Sequence, residues 1–212
     1  LTGLDEFAIT PRLQDAGSTY FIYQLYLHGE ANCIDIQEVM QELDIGKNVE
    51  VMSLAYETEA DLDHHRFTSF ASKFVEHASQ GRLIGLVCTH PTETFVNSLF
   101  RGTKDGERYG LKNLKPEAAK MVKAETCMMK RCISMCLKAL DIGARFVYYF
   151  PACAESAYTA PVPHEYIELF DHAGTYKTLS ENAYIIMGNL NVDAARVPPP
   201  LLGRPILEAL FD

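Results

Sequence analysis

Chemistry in this chain gathers first at Thr89-His90-Pro91-Thr92-Glu93. An imidazole titrates near neutral pH and a nearby carboxylate can orient it, so His90 with Glu93 is a candidate general base, and Pro91 stands beside them. A second cluster, Asp61-Leu62-Asp63-His64-His65, has the residue types of a metal site. Adjacent side chains on a helix point apart, so His64 and His65 would not share one ion. Asp is a favoured N-cap, so the expectation there is a helix start at Asp61 or Asp63 and no metal. Cys132 and Cys136 lie one helical turn apart after Cys127, with no second pair to complete a site. Free cysteine packs as a small buried hydrophobe, and core packing is the expectation for these two. Cys88 and Cys153 fall near two expected strand ends, but a reducing compartment argues against a bridge between them.

The element that must position His90 is the apolar run from Leu83 to Cys88. Such a run has no polar face, which predicts a strand buried on both sides, as in a parallel sheet. Pro91 cannot donate to a ladder, so the strand should end by His90. Ligands in open α/β sheets gather beyond the carboxyl ends of strands. Before this strand, Phe67, Phe70, Ala71, Phe74, Val75 and Ala78 have helical spacing, followed by Gly81. After it, residues 96–115 are polar and read as a mobile loop over the site. Pro116 then opens a long helix whose stripe runs from Ala118 to Leu140 and stops at Gly143. Residues 145–150 form the next expected strand, closed by Pro151.

The outer parts are read from weaker signals. Residues 4–9 suit a first strand, 18–28 a helix, 31–36 a strand ending near Asp35, and 38–43 a short helix. Residues 49–55 suit a strand, 164–171 a short helix, 184–187 a strand and 206–211 a terminal helix. The aromatic group Tyr20, Phe21, Tyr23 and Tyr26 could stack a base, although such a stripe is more often core. This alternation predicts a doubly wound α/β fold, a mostly parallel sheet with helices on both faces, in one domain over 1–212.

A length of 212 residues suffices for one sizeable core, and 48% hydrophobic with 22% charged residues is ordinary for a globular protein. A net charge of −9 excludes a general phosphate-backbone binder. A local basic loop remains as a candidate nucleic-acid contact, Arg101, Lys104, Arg108, Lys112 and Lys115, although such a charge run is more often a solvated surface loop. Six unpaired cysteines and no visible secretory or membrane segment predict a reducing intracellular setting, cytoplasmic or nuclear, and no membrane partner. A start at Leu1 suggests a processed chain or a domain cut from a longer one.

The order of these pieces resembles the Rossmann-type methyltransferases that use S-adenosylmethionine. It is most similar to a nucleic-acid methyltransferase-like group whose fourth strand ends in a Gly-Pro-Pro-Cys type signature. Phe7-Ala8-Ile9-Thr10 resembles that group's opening turn, Asp35 its ribose-binding acid, and Leu86-Val-Cys-Thr-His-Pro-Thr-Glu-Thr-Phe95 the signature strand and its loop. The resemblance implies S-adenosylmethionine as cofactor, with Phe7, Ala8, Asp35 and Thr89 facing it. It gives His90, Pro91 and Glu93 to catalysis. Ile9 and Thr10 stand where glycine is expected, His90 replaces the first proline, and Tyr149 stands where an acidic residue follows the fifth strand. Those departures motivate a second reading, a catalytically silent domain serving assembly or protein-partner binding. A third is a metal-dependent hydrolase built on Asp61, Asp63 and the adjacent histidines, since Asp-His-His resembles a phosphoesterase motif.

Overall fold

The computed structural model describes residues 17–26, 36, 48–55, 63–89, 93–95, 98–102, 104–151, 175–180 and 183–188. Six strands form one sheet: β1 (Tyr20–Leu25), β2 (Val49–Leu54), β3 (Leu83–Thr89), β4 (Phe146–Pro151), β5 (Thr175–Ser180) and β6 (Ala183–Gly188). Their order is β2-β1-β3-β4-β6-β5. The first four are parallel neighbours, while β6 runs antiparallel to both β4 and β5. The α/β class and the mainly parallel sheet are therefore as the sequence predicts. The β5 strand was not foreseen. The expected elements at 4–9, 38–43, 164–171 and 206–211 lie outside the described residues.

Two inner elements differ from expectation. Residues 20–25 form β1 rather than part of a helix, and all six side chains are buried. A run this short and apolar carries no period. Its aromatic and branched residues suit a strand flanked on both sides, here by β2 and β3. Ile36, the last residue of the strand expected over 31–36, is helical and fully buried.

Helix α1 (His64–Ser79) starts at Asp63, whose Oδ1 accepts the His65 N–H at 2.9 Å. Helix α2 (Pro116–Asp141) starts with proline in its first turn and Glu117 near the positive end of its dipole. Both helices end alike. Gly81 and Gly143 take φ of +66° and +70°, a left-handed conformation that glycine adopts without a Cβ clash. Arg82 N–H bonds His77 O at 2.9 Å, and Ala144 N–H bonds Ala139 O at 2.8 Å, closing a Schellman turn in each case. Each turn delivers the chain straight into the next strand.

Both helices pack on one face of the sheet. Phe70 and Phe74 from α1, and Met128, Met129, Cys132, Met135 and Cys136 from α2, form one cluster with Tyr23, Leu25, Leu86, Cys88, Phe146 and Tyr148. Tyr23 meets Phe70 and Phe74 edge-on, at 4.9 and 5.2 Å between ring centroids. On the opposite face Ile22, Gln24, Val87 and Val147 are equally withdrawn from solvent. Burial on both faces explains why these strands read as unbroken apolar runs. No helix among the described residues is long and apolar enough to cross a membrane.

Candidate functional site

The chain leaves β1 for β2 on one side and returns through α1 to β3 on the other. The direction of winding thus reverses between β1 and β3. In open α/β sheets the crevice for a ligand opens at such a reversal, beyond the carboxyl ends of the strands. Tyr26 follows β1 there, and Thr89 closes β3 beside it. The Thr89 hydroxyl donates to Tyr26 O at 3.4 Å.

Tyr26 is the described non-glycine residue with positive φ, at 61°. A bulky residue rarely adopts that conformation, which costs on the order of 1–3 kcal/mol and persists only where the surroundings hold it. Here they do. Its N–H bonds Leu54 O at 2.6 Å, its ring is fully buried, and its hydroxyl accepts from Arg131 Nη1 at 2.9 Å. Burial pushes the Tyr26 phenol up, with the Arg131 hydrogen bond opposing, so the group stays protonated. The guanidinium of Arg131 also lies 4.8 Å from the Phe67 ring centroid, tying α1 and α2 to the end of β1.

The loop after β3 is anchored by a buried polar knot. Glu125 interrupts the apolar stripe of α2, and its Oε2 accepts from the Thr94 N–H at 2.9 Å and the Thr94 hydroxyl at 2.5 Å. That hydroxyl oxygen accepts in turn from Arg101 Nε and Nη2, at 3.1 and 2.8 Å. Arg101 further donates to Arg108 O at 2.9 Å and Val122 O at 3.1 Å, with its guanidinium over the Phe95 ring at 3.6 Å. Burial raises the Glu125 carboxyl to about 7, opposed by the Thr94 hydrogen bonds and by Arg101. Burial likewise lowers Arg101 to about 10, with Glu125 opposing. Glu125 can therefore hold or release a proton near neutrality. It is only 3% exposed, so its role is to fix the loop rather than to meet a substrate.

The expected site residues fare unequally. Thr89 lies at the end of β3 as anticipated, half-buried, and Glu93 is exposed just before the knot. His90, Pro91, Phe7, Ala8 and Asp35 lie outside the described residues. Arg101 is a correction: at 1% exposure, with its donors spent inside the protein, it does not serve as a phosphate contact. Lys104, Lys112 and Lys115 are exposed and Arg108 is half-buried. The loop expected to be mobile is also partly tied down. Gly102 N–H bonds Glu107 O, Leu111 N–H bonds Phe100 O, and a 3-10 turn spans Asp105–Glu107.

Asp63 caps α1 and the His64 and His65 ring centroids stand 6.4 Å apart. Among the described residues no group of three His, Cys, Asp or Glu side chains is arranged to hold a metal ion. Cys132 and Cys136 are buried core thiols, with Cys136 Sγ 3.9 Å from Cys88 Sγ. Burial pushes both helix thiols well above their ordinary value. Cys153 lies outside the described residues. Tyr20, Phe21, Tyr23 and Tyr26 are all core. The sequence reading placed Tyr26 in an aromatic stripe but not at the strained position after β1, and it missed the Thr94–Arg101–Glu125 knot. A carboxylate between Val122 and Met128 on an apolar stripe was the signal for the knot, because a buried acid needs a partner. Comparison with protein-family models, curated proteins and solved structures found no match to this chain.

Proposed function

We propose that the chain is a methyltransferase-like α/β domain that takes S-adenosylmethionine beyond the carboxyl ends of β1 and β3 and uses nucleic acid as its acceptor. The observation that carries this reading is the reversal of winding between β1 and β3, with Thr89 and the anchored loop at its mouth. The order β2-β1-β3-β4, extended by the antiparallel pair β6-β5, is an α/β sheet of the class that the resemblance implies. With β1 at Tyr20–Leu25, the turn facing the cofactor is the one that begins at Tyr26. The resemblance assigns His90, Pro91 and Glu93 to the acceptor and Asp35 to the cofactor ribose, while the opening-turn role it gave Phe7 and Ala8 passes to Tyr26 on this reading. Exposed Lys104 and Lys112, rather than Arg101, are the available contacts for a phosphate backbone.

One observation favours the catalytically silent reading. Glycine lets backbone approach a cofactor, and Tyr26 instead places a bulky side chain at that turn. Tyr149, paired in register with Thr89, stands where the resemblance expects an acid. Thermal unfolding with S-adenosylmethionine or its demethylated product separates the readings. A ligand at 100 times its Kd adds about 2.7 kcal/mol of stability. No shift at millimolar concentration removes the cofactor claim. A shift without transfer of labelled methyl to duplex DNA, unchanged in His90→Ala, favours the silent domain.

A further inference from the structure

A groove of 620 Å³ runs along the outer side of α2, between the start of α1 and the segment from Tyr109 to Leu114. Its floor is apolar, built from Phe67, Leu111, Leu114 and Val122. Its charged lining is of one sign. Lys123, Lys130 and Arg131 line it together with His64, and no carboxylate does among the described residues. That is notable in a chain with a net charge of −9. Lys123 and Lys130 are exposed and two helical turns apart, so they stand on one side of α2 with the half-buried Cys127 between them. Lys130 Nζ lies 4.9 Å from the Tyr109 ring centroid, and Arg131 lies over Phe67, so cation and aromatic surface are paired at both walls.

We infer that this groove binds a small amphipathic anion: an apolar or aromatic body carrying one carboxylate, sulfonate or phosphate. The volume is that of a small-molecule pocket, and such pockets join an apolar lining to a few placed polar groups. The apolar floor takes the body of the ligand. The one-signed lining selects its charge, because a neutral analogue gains no Coulombic attraction and a cation is repelled. This site is separate from the turn after β1 and does not depend on the methyltransferase reading. Arg131 joins the two, since it lines the groove and bonds the Tyr26 hydroxyl.

The test is a fluorescence titration of the full chain with 8-anilinonaphthalene-1-sulfonate, an aromatic sulfonate, against the neutral N-phenyl-1-naphthylamine. The expected result is saturable binding at one site, at least tenfold tighter for the sulfonate. Binding should weaken at least tenfold in the Lys123→Glu, Lys130→Glu double variant with unchanged circular dichroism. Ala119→Trp, at an exposed helical position lining the groove, should block binding without altering charge and decides the matter should the charge variant fail to fold. Decanoate and adenosine monophosphate serve as competitors. Displacement by the first assigns an aliphatic carboxylate, by the second a nucleotide. Displacement by neither, equal affinity for the neutral dye, or unchanged binding in Ala119→Trp would overturn the inference.

Discussion

Two clusters hold different parts of the molecule by opposite physics. The aromatic layer of Tyr23, Phe70, Phe74 and His77 joins α1 to β1 largely by apolar contact. The polar knot of Thr94, Arg101 and Glu125 joins the loop after β3 to α2 by directed hydrogen bonds among buried groups. Apolar packing is tolerant of a volume-conserving change, whereas a buried polar network fails when one partner is lost. The layer therefore supplies stability broadly. The knot specifies one position for a loop beside the candidate site.

The largest expected effect is in the aromatic layer. Phe74→Ala should cost about 4 kcal/mol in denaturant unfolding, since a fully buried ring is replaced by a cavity, while Phe74→Leu should cost far less. Arg101→Met should cost about 3 kcal/mol by removing the donor to Thr94 Oγ1, Arg108 O and Val122 O and the cation beside the buried Glu125 carboxyl. Here the conservative change should not rescue: Arg101→Lys cannot reproduce the fork, so it should stay close to Arg101→Met. If Arg101→Lys were as mild as Phe74→Leu, the contrast between directed and undirected packing would fail.

A smaller effect separates the clusters by pH. The Glu125 carboxyl is raised from 4.5 to about 7, so the folded chain keeps a proton that the unfolded chain loses between these values. Its contribution is full below about pH 4.5 and is lost as pH rises to 7, at up to about 1.4 kcal/mol per pH unit. His77 acts in the other direction. Burial first, then Arg82, lowers its ring below the ordinary 6.5, so its contribution is present above that pH and is lost as pH falls. Unfolding measured from pH 4.5 to 8 should show the descending slope in the parent chain and lose it in Glu125→Gln. An unchanged slope in that variant would show that Glu125 is not the buried titrating group.

The smallest effect concerns one hydrogen bond. The Tyr23 hydroxyl lies 2.9 Å from His77 Nδ1, and burial keeps that phenol protonated. Tyr23→Phe should cost about 1 kcal/mol with the aromatic packing intact. A cost near that of Phe74→Ala would mean that the layer, too, is held by direction rather than by area.

The sequence by itself determined β2, β3, β4, β6, α1 and α2. Their signals are local: a 3.6-residue stripe, an Asp cap, a proline at one helix start, and Gly81 and Gly143 at the ends. The position of Thr89 at a strand end followed from Pro91 in the same way. Only the tertiary structure decided that residues 20–25 are the strand where the winding reverses, because six apolar residues in a row carry no period and their neighbours β2 and β3 are remote in sequence. It alone decided that Arg101 is interior. A cation in a polar loop reads as solvated until its acceptors are known, and those acceptors, Thr94 and Val122, meet it only when the loop folds back on α2.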